Sequence, residues 1–189
     1  MGGRSRRMGT PKAGLVLPDG SRMGERMVRI LSFVCREVVL VGSGENPPEP
    51  LAELPRIDDL RPGRGPLAGI EALLASGRDD AYLVVPCDQP LLLPSLLRAL
   101  SAAAQGGAAL FRLPGRAGPE PLPAAIPASA LPFVTESLDA GRSALRDAVD
   151  GLRPRLLDVP PLMAICFRNL NEPADLEDAP FRDHFFPVR

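Results

Sequence analysis

Two short apolar runs, each stopped by a residue that ends regular structure, constrain this chain most. Glu37-Val38-Val39-Leu40-Val41-Gly42 and Ala81-Tyr82-Leu83-Val84-Val85-Pro86 are too short for independent helices and lack the polar alternation of a strand with one wet face. Both read as buried strands. Around them the period changes to that of a helix. Met23, Met27, Ile30, Leu31 and Val34 recur at helical spacing within Met23–Cys35, as do Leu67, Ile70, Leu73 and Leu74 within Pro66–Ser76. A leucine-rich helix is expected from Leu93 to Ala104, with Pro94 at its start and Gly106-Gly107 beyond its end.

The remaining pattern predicts strands near Arg56–Asp58, at Ala108–Leu113, Arg155–Val159 and Met163–Phe167, and helices near 129–140 and 143–150. A further strand over Leu122–Ile126 is expected at a sheet edge, because its prolines cannot donate to a ladder. A short helix from Pro173 closes the pattern. The prolines gather around 47–66, 114–132 and 154–161, marking connections. Buried strands alternating with amphipathic helices specify an α/β fold, a mostly parallel sheet covered on both faces, in a single domain over residues 1–189.

The bulk numbers exclude several functions. A formal net charge of −1 gives no general electrostatic attraction to nucleic acid or to a membrane surface. No apolar run is long enough to span a bilayer, and the glycine- and arginine-rich start has no apolar signal region. Cys35, Cys87 and Cys166 are odd in number and far apart, which fits buried reduced thiols in a cytoplasmic protein. His184 has no nearby base or paired serine, so a hydrolytic triad has no support.

Chemistry-bearing residues should follow strands directly, since ligands of such sheets bind beyond the strands' carboxyl ends. Asp88, in Cys87-Asp88-Gln89-Pro90-Leu91, is a candidate magnesium ligand; the competing reading is a cap for the helix beginning near Leu93. Asp58 and Asp59 precede Leu60-Arg61-Pro62-Gly63-Arg64-Gly65-Pro66-Leu67-Ala68-Gly69, a glycine-rich turn running into a helix N-terminus that favours an anion or base edge. Asn169 and Asn171 follow the Met163–Phe167 segment, and Asn171 equally suits a helix cap before Pro173. Lys12 is the sole lysine among twenty-two Lys and Arg residues, and it closes Gly2-Gly3-Arg4-Ser5-Arg6-Arg7-Met8-Gly9-Thr10-Pro11-Lys12. A compact ammonium reaches between phosphates as a point charge where a planar guanidinium does not, and paired glycines let backbone N–H groups cradle an anion. The alternative is a basic N-terminal arm.

Together these segments resemble the molybdenum cofactor guanylyltransferases, within the nucleotidyltransferase superfamily. Gly2 to Lys12 is similar to that family's GG-x-S-x-RMG-x-x-K signature. Asp59 to Ile70 resembles its D-x-x-x-G-x-GPLAGI segment, Cys87 to Leu91 its CD-x-P-L turn, and Phe167 to Leu176 its N-x-N-x-P-x-x-L. The resemblance implies a three-layer Rossmann-like fold whose first strand, ahead of Gly2, is truncated here. It further implies transfer of GMP from GTP to a molybdopterin-type cofactor with release of pyrophosphate. On that reading Lys12, Asp88 and Arg7 are catalytic, and Gly2, Gly3, Lys12, Asp59, Gly65, Gly69 and Asp88 bind the nucleotide. Asp88 would hold Mg²⁺, and Asn169 and Asn171 would face the pterin substrate. A molybdoenzyme or cofactor-handling protein is the kind of partner implied. Two departures bear on this: Val41-Gly42-Ser43 stands where the family can carry an asparagine, and Gln89 also occurs in cytidylyl relatives. A CTP-dependent or sugar-phosphate nucleotidyltransferase, and a catalytically silent nucleotide-binding protein, are the alternatives.

Overall fold

The computed structural model describes residues 12–42, 47 and 51–177. Gly2, Gly3, Arg7, Ser43 and His184 lie outside the described residues. A parallel pair, β1 (Leu40–Val41) with β2 (Arg56–Ile57), stands beside a four-stranded sheet of order β3-β5-β4-β6. Its strands are β3 (Ala81–Val84), β4 (Ala109–Arg112), β5 (Glu120–Pro127) and β6 (Arg155–Asp158). β4 and β6 run parallel, and β5 runs against both β3 and β4, so three of the four strands share one direction. The helices are α1 (Met23–Ser32), α2 (Pro66–Ala75), α3 (Pro94–Ala103), α4 (Leu131–Asp139) and α5 (Leu145–Gly151).

Pleat alternation builds the three layers. Ala109 and Phe111 of β4 face α1 and α3, meeting Met27, Ile30, Leu96, Leu97 and Leu100. Leu110, between them in sequence, faces the opposite way onto Leu67, Ile70, Val134, Leu138 and Val149 of α2, α4 and α5. The sheet is therefore covered on both faces, as the strand–helix alternation predicts. Alanines at 109, 124 and 125, each at most 2% exposed, let the helices approach it closely.

Two expectations about strands change. The proline-bearing strand is interior, flanked by β3 and β4, and not at an edge. Its pairing with β3 covers only Ala124 to Pro127, and its register with β4 jumps from Leu110↔Ala124 to Phe111↔Glu120. Pro121 and Pro123 fall in that irregular stretch, where no ladder bond is asked of them. Met163–Phe167 is not a strand but part of a 3₁₀ turn over Pro161–Phe167. Only Cys166 and Phe167 are buried there, while Leu162 is 92% exposed, so the segment offers no continuous apolar face to a sheet. The first strand is also shorter than its apolar run, pairing only over Leu40 and Val41. Of the cysteines, Cys166 is buried, while Cys35 and Cys87 are half-buried.

Replacing Leu97, fully buried between α3 and the sheet, by alanine is expected to cost about 2–5 kcal/mol in urea unfolding. Leu162→Ala, at a 92% exposed position, is expected to stay within about 0.5 kcal/mol.

Candidate active site

The site begins with how residue 12 is delivered. Lys12 opens a 3₁₀ turn (Lys12–Gly14), and the chain then doubles back through a small hairpin. Leu17 N–H donates to Ser21 O (2.8 Å) and Met23 N–H to Leu15 O (2.9 Å), leading straight into α1. Glu25 accepts the Arg22 backbone N–H at 2.9 Å and so finishes the helix start. Gly24 is what lets the turn rest on α1. A β-carbon there would lie 2.3 Å from Leu51 Cδ1 and 3.1 Å from the Ala13 carbonyl oxygen. A side chain here would have to displace Leu51 Cδ1 and would crowd Ala13, the neighbour of Lys12.

β3 delivers the carboxylate. Asp88 comes four residues after Val84, on a loop clamped to α1 by Arg26, whose Nε donates to the Pro90 carbonyl at 2.6 Å. The loop is also stitched to the C-terminal segment. Leu170 N–H donates to the Asp88 carbonyl (2.7 Å), and the buried Gln89 amide donates to Phe167 O (3.2 Å) and Asn169 Oδ1 (3.0 Å). Beneath these contacts Leu17, Met23, Leu91 and Leu170, each at most 4% exposed, form a small core of their own.

The result is a convergence. The Lys12 ammonium donates to Asp88 Oδ2 at 2.8 Å and to Asn171 Oδ1 at 2.7 Å. Side-chain exposures of 26% and 15% for Lys12 and Asp88 leave the ion pair partly shielded from water yet reachable. Such charge-assisted bonds are short and strong, and partial burial raises what the pair contributes. Asp88 is not the cap of α3, whose N-cap is Leu93 with no side-chain cap bond. Nor does the Asn171 side chain cap the closing 3₁₀ turn (Pro173–Glu177). There Asp175 Oδ2 accepts the backbone N–H groups of Asn171 (2.6 Å) and Glu172 (3.0 Å). The Asn171 side chain is thus left for Lys12.

A second group lies where β1 and β2 end. The Gly42 N–H donates to Ile57 O at 2.9 Å, and Asp58 and Asp59 follow. Gly65, at φ +77°, precedes Pro66 at the first position of α2. A β-carbon on Gly69 would sit 3.1 Å from Val41 Cγ1 and 3.4 Å from Asp59 Oδ1, so a bare backbone brings α2 against the strand end and the Asp59 carboxylate. Asp59 and Gly69 are therefore neighbours in the structure, and Gly65 stands at the start of the helix that carries Gly69. Among the described residues, no set of three or more His, Cys, Asp or Glu side chains is gathered as a metal cage.

The MobA-like NTP transferase domain family matches residues 1–155. The chain belongs to this family. A probable molybdenum cofactor guanylyltransferase of Chloroflexus aggregans is 35% identical over 188 residues, covering 93% of this chain and 88% of that protein. The crystal structure of molybdopterin-guanine dinucleotide biosynthesis protein A from Archaeoglobus fulgidus shares 27% identity at a TM-score of 0.75, with 93% of this chain and 92% of that chain covered. The 2-C-methyl-D-erythritol 4-phosphate cytidylyltransferase of Thermus thermophilus, at 20% identity and TM-score 0.67 over 88% and 91% of the two chains, shares the fold. MobA-like membership makes the chain a Rossmann-like nucleotidyltransferase, as the motifs imply. Among the described residues no helix is long and apolar enough to cross a membrane.

The structure brings together Lys12 and Asp88, which the motifs assign to one nucleotide, and adds Asn171, which they assign to the acceptor's side or to a helix cap. Asn169 enters through Gln89. Arg26 escapes sequence reasoning, because its grip on the Asp88 loop goes through a backbone carbonyl, which leaves no mark in sequence. Burial, and next the Asp88 carboxylate, push the Cys87 thiol above its ordinary range, with Lys12 pulling partly back. Cys87 is therefore expected to remain a thiol at neutral pH and to alkylate slowly with iodoacetamide. Asp88→Asn removes the neighbouring anion, lowers that pKa, and should speed Cys87 modification at pH 8, read by peptide mass spectrometry.

Proposed function

We propose that this chain transfers GMP from GTP to the terminal phosphate of a molybdopterin-type cofactor, releasing pyrophosphate and forming the guanine dinucleotide. The single observation that carries the reading is the meeting of Lys12, Asp88 and Asn171. These three residues come from the glycine-rich, CD-x-P-L and N-x-N segments, brought together by the fold. The choice of GTP rests on relatives such as the Chloroflexus protein, whose name is that of a guanylyltransferase, and on the guanine dinucleotide protein from Archaeoglobus. The cytidylyltransferase neighbour supports the fold alone.

The chemistry needs no covalent enzyme intermediate. An oxygen of the acceptor's terminal phosphate attacks the α-phosphorus of GTP in line. One P–O bond forms there, the bond to the β-phosphate oxygen breaks, and pyrophosphate leaves with that electron pair. Lys12 would share the negative charge that develops on the phosphates, its ammonium already held by Asp88 and Asn171. Asp59 and the Gly65–Gly69 turn would take the nucleoside, with Gly2, Gly3 and Arg7 on the phosphates. Asn169 and Asn171 would line the acceptor's side.

The donor set at Asp88 suits Mg²⁺, a hard cation that commonly takes one or two protein carboxylates and completes its shell with phosphate oxygens and water. Asp88, 15% exposed in its side chain, would be that carboxylate. Bound there, Mg²⁺ would neutralise phosphate charge as pyrophosphate departs.

Pyrophosphate release measured with GTP, CTP and UTP, with and without molybdopterin cofactor, tests the assignment. Release is expected with GTP and cofactor together. Preference for CTP would move the chain to the cytidylyl reaction, and GTP binding without release would make it a silent binder. Lys12→Arg keeps the charge but replaces a compact ammonium by a planar fork, and is expected to lower turnover about a hundredfold. Turnover close to wild type would remove Lys12 from the mechanism.

A further inference from the structure

Glu71 is a carboxylate that the proposed chemistry does not use, and it is buried inside α2 with 4% of its side chain exposed. A charge in that position is costly unless matched, and an apolar residue of the same size would commonly be no worse for stability. Its match is Arg61, on the loop between β2 and α2. Arg61 Nε lies 2.9 Å from Glu71 Oε2, and that oxygen has no well-aligned hydrogen-bond donor, so the contact is one of charge with charge. The other end of the same guanidinium binds Asp139 at the end of α4. One planar fork thus ties the loop to two helices at once.

What is tied is the nucleoside turn. Arg61 stands two residues after Asp59 and two before Gly63, and its carbonyl accepts the Arg64 N–H at 3.3 Å. Gly63 and Gly65 both take left-handed backbone, at φ +80° and +77°, and neither has any neighbour within 4 Å of a built β-carbon. Such a turn has little packing of its own to hold it, and its shape must be imposed from its base. The geometry points to Arg61 and Glu71 as positioning residues. Their ion pair, seconded by Asp139, holds Asp59 and the Gly63–Gly69 turn in the conformation that receives the nucleoside. This rests on the reading that Asp59 and this turn bind the nucleoside.

The test uses the full chain and four proteins: wild type, the double variant Arg61→Met with Glu71→Gln, Asp139→Asn, and Gly69→Val. Removing both charges in the double variant avoids leaving one buried carboxylate unpaired. GTP affinity is measured by calorimetry, KM and kcat by pyrophosphate release, and folding by thermal melting. The double variant is expected to raise Kd and KM for GTP about tenfold, with kcat within about twofold, because the misplaced turn weakens binding while the Lys12 region is untouched. Asp139→Asn, at an exposed end of the network, is expected to raise them about threefold without a change in melting. Should the double variant fail to fold, Asp139→Asn decides. If wild type binds GTP, Gly69→Val loses it, and the folded charge variants keep wild-type Kd and KM, the pair is only structural and the inference falls alone. If wild type does not bind GTP, or Gly69→Val binds it as wild type does, the nucleoside reading falls and takes this inference with it.

Discussion

The Lys12 ammonium satisfies a carboxylate and an amide that reach it from 76 and 159 residues further along the chain, and the surrounding structure is arranged to keep that meeting point in place. Electrostatics alone would not do so, since even a partly shielded ion pair must offset the entropy of ordering two mobile side chains. The cost of ordering is met beforehand by the scaffold. The hairpin and Gly24 fix the lysine's backbone, Arg26 and Leu170 fix the Asp88 loop through its carbonyls, and Asp175 fixes the backbone that carries Asn171. A lysine held this way is a preorganised charge, the form in which a cation is most useful to a reacting phosphate.

The sheet explains why the two halves of the candidate site are built so differently. Around Asp88 the loop is anchored by hydrogen bonds to main chain on two sides. At the end of β1 and β2 a two-residue ladder supports the turn, and close approach of bare glycine backbone takes over where strand pairing is short. The Lys12 side is therefore held by polar stitching, and the β1–β2 side by close backbone approach together with the Arg61 ion pairs at the base of its turn. Each device matches what the segment has available, since loops carry donors and acceptors while a helix N-terminus offers free N–H groups and little else.

Much of this was legible in the residues. The helical periods of α1, α2 and α3 mark the faces that pack on the sheet, and the apolar runs at 38–41 and 81–85 do contain β1 and β3, although these strands are at most half-buried and not the fully buried ones their composition predicts. Lys12 stands out as the one lysine after paired glycines, Asp88 as a carboxylate just beyond a strand, and Asn171 by its place in a family-like segment, whereas the meeting of the three is visible only in the fold. Illegible features share one physical cause, namely that they depend on a partner's position and not on the residue's own preference. Pro121 and Pro123 argue for an edge in any isolated strand, yet an interior strand admits them once the ladder skips that stretch. Met163 to Phe167 is apolar enough for a strand, but with Leu162, Met163 and Ile165 left facing water no second layer exists to make it one. The Arg26 and Leu170 contacts end on carbonyl oxygens, which every residue possesses.

The small core of Leu17, Met23, Leu91 and Leu170 carries a consequence of its own. It stands apart from the two larger clusters that clamp the sheet, and it is assembled from three stretches far apart in the chain. Its four side chains form a satellite whose cohesion is smaller than that of the body it rides on. Fluctuations that separate them would scatter the lysine, the carboxylate and the asparagine together while leaving the β-structure whole, so function would fade before the fold does.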